Sequence, residues 1–223
     1  MPKTVKPPKD ARKIAGEGGK YEDTLRHMFE GIQSQDDLSE LLGGGVAGSV
    51  IPLASGDITS AGESFTIYSS MDATYSLYYI YIRGMLVSAA SKELGIQFGS
   101  DTGATDYAYV LWEWAAGTFA DDHDPQHNMI RIMDTSPGAG SSSANSEEMT
   151  ATMYVHAPAD STLQTTVEGT FFYNDTSTPA AHRFQFFGAR NADQADTTIN
   201  LIIDTGGSTT FSAGTYTIYG IKQ

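Results

Sequence analysis

The octapeptide Met149-Thr150-Ala151-Thr152-Met153-Tyr154-Val155-His156 decides the class of fold. Met149, Ala151, Met153 and Val155 recur at every second position, and Thr150, Thr152 and Tyr154 fill the places between. A helix would scatter such a set around its axis. A strand sends it all to one side, because successive side chains leave an extended backbone on opposite faces. One face of this segment is therefore predicted to lie in a core and the other in water. Ile199, Leu201 and Ile203 repeat the period.

Short runs of β-branched and aromatic residues flank it in both directions. They lie near Val46 to Leu53, Glu63 to Ser70, Tyr75 to Ser88, Leu94 to Phe98, Tyr107 to Trp114 and Met129 to Met133, then Leu163 to Tyr173, His182 to Phe187, Thr198 to Ile203 and Thr215 to Ile221. Clusters of Gly, Ser, Asp and Asn separate them, which is the punctuation of strands and turns. No helical periodicity follows Leu42, which favours a two-sheet sandwich over a βαβ architecture. The prediction is a mainly β chain whose residues 46–223 form a jelly-roll-like two-sheet sandwich, with an immunoglobulin-like sandwich as the alternative. Gly84, Gly169 and Gly188 interrupt apolar runs, where a missing side chain suits a bulge or a sheet corner. Ser136 to Ser146, rich in Ser, Gly and Ala, reads as a surface loop.

The chain before Gly45 is written differently. Residues 1–20 carry Lys3, Lys6, Lys9, Arg12, Lys13 and Lys20 against Asp10 and Glu17, about +4, and hold almost no large apolar side chain. Alone, such a stretch buries too little to order itself, so it reads either as an extended basic arm that orders against a partner or as a plain flexible tail. Within 21–45, Tyr21, Leu25, Met28, Phe29 and Ile32 recur at three- and four-residue spacing, the stripe of a short amphipathic helix. Ser34 and Asp37, then Leu38, Leu41 and Leu42 and the stop Gly43-Gly44-Gly45, mark a second. The basic residues Lys3, Lys6, Lys9, Arg12 and Lys13 and the helical stripe Leu25, Met28, Phe29 and Ile32 are the candidate partner-binding residues.

Charge and composition narrow the function classes. After residue 20, seven basic side chains face twenty-five acidic ones, so the body should repel nucleic acid. The absence of cysteine removes disulfides, thiolate metal sites and a cysteine nucleophile. No apolar run approaches the roughly 18 to 20 residues of a membrane span, and the first residues are too polar for a secretory leader. There is no Gly-x-Ser-x-Gly elbow, no P-loop and no strand-linked Gly-x-Gly-x-x-Gly, and no cofactor is expected.

Three clusters remain. In Asp121-Asp122-His123-Asp124-Pro125-Gln126-His127, the carboxylates Asp121, Asp122 and Asp124 are the metal candidates. Pro125 breaks the helical turn that a His-x-x-x-His pair would need, so the expectation is a solvated acidic loop and no metal. In the run Tyr107 to Trp114, alternation puts Trp112 and Trp114 on one face and Glu113 on the other, beside Tyr107 and Tyr109. Trp112, Trp114, Tyr107 and Tyr109 are candidate glycan contacts, and Glu113 a candidate acid, although such a strand most often turns its tryptophans to the core and its glutamate to water. In the third, Tyr75, Leu77, Tyr79 and Tyr81 face one way and Ser76, Tyr78, Ile80 and Ile82 the other. Both faces are apolar, which fits a central strand or a subunit interface.

The C-terminal stretch Phe211-Ser212-Ala213-Gly214-Thr215-Tyr216-Thr217-Ile218-Tyr219-Gly220-Ile221 resembles the closing strand of many tailed-bacteriophage virion proteins. The plan of basic arm, short helices and cysteine-free β body is similar to that of capsid-decorating and tail-attached phage proteins. That resemblance implies a non-enzymatic structural protein of the virion, made in the host cytoplasm, homotrimeric, docked through its arm and helices on a capsid or tail platform. The alternatives are a tail fibre or receptor-binding tip that meets host-surface glycan, a free carbohydrate-binding module, and a β-sandwich glycoside hydrolase using Glu113 or the Asp121 to Asp124 segment.

Overall fold

The computed structural model describes residues 50–59, 62–89, 92–99, 103–115, 117–134, 148–175, 180–204 and 209–222. The arm, both predicted helices and the Ser136 to Ser146 loop lie outside them. The described residues belong to a compact unit that runs from Ala47 to Gln223, so its first residue falls just after the triple glycine.

Twelve strands and no helix make up the described residues: β1 Val50–Asp57, β2 Ser64–Tyr68, β3 Leu77–Val87, β4 Glu93–Phe98, β5 Tyr107–Ala115, β6 Thr118–His127, β7 Ile130–Met133, β8 Met149–His156, β9 Gln164–Asp175, β10 Ala180–Asp193, β11 Ile199–Asp204 and β12 Phe211–Ile221. All pairings are antiparallel. They form an eight-stranded sheet in the order β1-β12-β3-β8-β9-β10-β5-β6 and a four-stranded sheet in the order β2-β11-β4-β7. The two sheets pack as a sandwich over one shared core.

The connectivity is that of a jelly roll carrying two added hairpins. With β5–β6 and β9–β10 set aside, the other eight strands run first-last-third-sixth in one sheet and second-seventh-fourth-fifth in the other, the double Greek key. The two hairpins zip together through β10 and β5 and extend the larger sheet beyond β8.

The core follows the alternation. Met149, Ala151, Met153 and Val155 of β8 are all buried, as are Ile199, Leu201 and Ile203 of β11 on the facing sheet. Ile80, Ile82, Phe171, Phe184 and Phe186 meet Ile67, Leu94, Ile96 and Ile132 in the same cluster. Each such side chain contributes about 1.5–3 kcal/mol by leaving water.

Three sequence expectations need correction. The acidic segment read as a loop is strand β6, the edge of the large sheet. Proline is tolerated at an edge, and carboxylates there discourage pairing with another sheet. Gly84, with φ at +63°, does sit at a bulge in β3, but Gly169 and Gly188 do not. A Cβ on Gly188 would overlap Ile130 of β7, so this glycine lets the two sheets approach. Finally, β5 is turned the other way round: Tyr107 (0 % exposed), Tyr109 (4 %) and Leu111 face the core, and Trp114 (40 %) faces out.

Candidate functional site

In an antiparallel sheet, directly paired residues point to the same side, so successive registers join into rows that cross the strands. On the outer face of the large sheet three such rows can be followed. The middle one runs Tyr81, Thr152, Thr170, Gln185, Trp112, Asp121. On one side of it lies Tyr219, Tyr79, Tyr154, Glu168, Phe187, Val110. On the other lies Thr150, Phe172, Arg183, Trp114, Phe119. A row of hydroxyls and an amide is thus flanked by two rows rich in aromatic rings.

The difference in side-chain length between the rows makes relief. Thr152, Thr170 and Gln185 are short or flexible, while Tyr154, Phe187 and Trp112 stand above the sheet, and between them is a groove of about 370 Å³ with the backbone of Gly169 in its lining. Its floor is ordered by a hydrogen bond between the hydroxyls of Thr152 and Thr170 at 2.8 Å. Its walls are held by ring contacts: Tyr79 lies 5.1 Å from Tyr154 and 5.9 Å from Tyr219, and Trp114 lies 5.3 Å from Phe119. Burial, then the neighbouring hydroxyls of Tyr154, Tyr81 and Tyr219, push the Tyr79 hydroxyl above its ordinary range, so it stays protonated and able to donate.

The four aromatic residues named as candidate glycan contacts are divided by the sheet. Trp112 and Trp114 stand on the outer face; Tyr107 and Tyr109 are buried on the inner one. The Tyr107 hydroxyl donates to the carbonyl of Phe98 at 3.2 Å and accepts from its amide at 2.8 Å, which ties β5 to β4. Tyr109 donates to Asp122 at 2.8 Å. Neither can meet a ligand on the Trp112 side.

The acids are likewise dispersed. Asp121 faces outward beside His123. Asp122 faces inward and accepts from Arg131 at 2.7 Å, and the same guanidinium reaches Glu93 at 2.9 Å and lies over the Tyr109 ring. This cluster is a polar strap between β6 of one sheet and β4 and β7 of the other. Asp124 accepts from the amide of Gln126. The three carboxylates therefore do not converge, and among the described residues no group of three or more His, Asp or Glu side chains is placed to hold a metal ion. His127 packs edge-on against Tyr109, away from His123. Glu113 is turned inward, its carboxylate 2.8 Å from Nδ1 of His182, whose ring stacks on Tyr173 at 4.7 Å.

No protein family, curated protein or solved structure matches the chain. Among the described residues no helix is long and apolar enough to cross a membrane. The candidate partner-binding residues Lys3, Lys6, Lys9, Arg12, Lys13, Leu25, Met28, Phe29 and Ile32 lie outside the described residues.

Proposed function

We propose that this chain is a non-enzymatic structural protein of a bacteriophage virion, whose N-terminal arm and helices dock on a capsid or tail platform and whose jelly roll projects outward. The observation that carries the reading is the division of the chain into a basic leading segment and an acidic, self-sufficient sandwich. After Val46 six basic side chains stand against nineteen acidic ones, about −13, while the first twenty residues carry about +4. An acidic platform would attract the arm and repel the head, which selects one docking orientation. The jelly roll supports the same reading at the level of fold, since capsid and lectin domains share it. So does β12: the segment that resembles a virion closing strand runs between β1 and β3, joining the last described strand to the first.

Antiserum against the sandwich should label purified virions, and the full chain should co-sediment with virions that lack it. A chain beginning at Tyr21 should keep its β circular dichroism and stay in the supernatant. Equal co-sedimentation would reject the arm's role, and unlabelled virions would reject the assignment itself.

A further inference from the structure

We propose that the groove on the outer face of the large sheet binds a neutral glycan, with Trp112, Tyr154 and Phe187 stacking on sugar rings and Thr152, Thr170 and Gln185 bonding their hydroxyls. The inference stands apart from the docking role, because it uses no residue of the arm or helices. Sugars present an apolar face of C–H groups and a rim of hydroxyls. A site that suits them has exposed aromatic faces beside a few fixed donors and acceptors, and that is the composition of these three rows. The floor from Tyr81 to Trp112 crosses five strands, four steps of about 4.8 Å or about 19 Å in all, long enough for several rings in line.

Charge and topology select this occupant over others. Glu168 is the one charged side chain in the lining, in a sandwich of about −13, so nucleic acid and sulfated or sialylated glycans are repelled. A peptide cannot be added as a further strand, because β8, β9, β10 and β5 are already paired on both sides. A second copy of the sandwich would bring two bodies of the same sign together and press one polar floor against another, leaving hydroxyls without partners. An uncharged ligand rich in hydroxyls meets none of these costs.

The chain has two tryptophans, and both stand on this face, so intrinsic fluorescence reports the site directly. The full chain is first screened on an array of neutral gluco-, manno-, galacto- and chito-oligosaccharides together with sialylated and sulfated ones, and hits are titrated by fluorescence. Neutral oligosaccharides should bind. Trp112→Ala and Gln185→Ala should each weaken binding about tenfold or more, while Leu163→Ala, exposed and outside the groove, should leave it unchanged. Gln185 is a solvent-facing side chain, so this variant keeps the test open if loss of the indole harms folding. Binding confined to anionic glycans, no binding to any, or affinity equal to the parent chain's in both groove variants would overturn the proposal. So would self-association of the full chain that Trp112→Ala abolishes, since a second copy would then own the face.

Discussion

Replacing Arg190 with methionine should remove about a fifth or more of the sandwich's stability. Arg190, on β10, is 2 % exposed, and Asp196, in the segment that carries the chain from β10 to β11, is 2 % exposed as well. The guanidinium bonds Oδ1 of that carboxylate, Thr165 of β9 donates to Oδ2 at 2.5 Å, and the Asp196 amide bonds the carbonyl of Pro158. The pair therefore anchors the segment that crosses between the sheets to β9 and β10 of the larger one. Removing one partner of a buried pair leaves the other charge desolvated, at a cost of about 3–5 kcal/mol, against about 0–1 for a solvent-exposed pair. Against a typical total of about 5–15 kcal/mol that is a large share. At about 2–4 °C per kcal/mol for a domain of this size, the midpoint should fall by about 6 to 20 °C. Urea unfolding followed by tryptophan fluorescence and far-ultraviolet circular dichroism gives the free energies. Asp196→Asn should cost a similar amount, and Arg190→Met with Asp196→Leu far less than the sum of the singles, because no charge is then stranded. A single-variant loss under about 1 kcal/mol, or losses that simply add, would refute the reasoning.

Arg131→Met should cost about 1–3 kcal/mol, less than Arg190→Met because Asp122 and Glu93 keep partial access to water; a urea midpoint equal to that of the parent would contradict the strap between the sheets. Gly188→Ala should cost about 1–3 kcal/mol by overpacking against Cγ1 and Cγ2 of Ile130, and the same substitution in an Ile130→Ala chain, which lacks both atoms, should cost less; an equal cost in the two backgrounds would show that the overlap lies elsewhere. Burial pushes the Tyr78 hydroxyl up to about 12 and raises those of Tyr107 and Tyr109 as well. A folded pKa above the unfolded value of 10.0 means that this contribution is complete below that pH and lost as pH climbs through about 12. Tyrosinate absorbance should therefore show a late step coincident with loss of β circular dichroism. Full titration with the dichroism intact would contradict the burial of these hydroxyls.

The two-residue period made β8 and β11 legible before any coordinates, since it alone says which atoms share a side. It does not say which side is inward. On β5 the two indoles are the heavier apolar load, yet the core takes Tyr107, Tyr109 and Leu111, and both tyrosines satisfy their hydroxyls inside, on Phe98 and Asp122. The strand β6 was illegible for a different reason. Thr118 to His127 lacks an apolar face of its own, and what makes it a strand is the ladder offered by β5, from Trp114↔Phe119 to Tyr107↔His127. Pairing of this kind is a tertiary fact that overrides local propensity. Of the groove only Trp112 stands out along the chain: Thr152, Thr170, Gln185 and Trp112 come from four strands whose order along the sheet departs from their order along the chain.

That order also explains where the candidate site lies. An eight-stranded jelly roll has four strands per sheet, and here the smaller sheet keeps that number while the larger one has doubled it. The four extra strands add no new layer; they widen one face. Thr170, Phe172, Arg183, Gln185, Phe187, Trp112, Trp114 and Phe119 all belong to them, and without them the middle row would stop at Thr152 with only tyrosines on its flank. The inner sides of the same strands were recruited to the core, as Phe171, Phe184 and Phe186 are fully buried. Each added strand therefore contributes to the core on one side and to the candidate site on the other, which is how a chain can place exposed tryptophan and phenylalanine on its surface while the strands that carry them stay anchored. Because β8, β9, β10 and β5 are each paired on both sides, the backbone under the proposed groove is fixed by the sheet, and only side chains would have to order on a ligand.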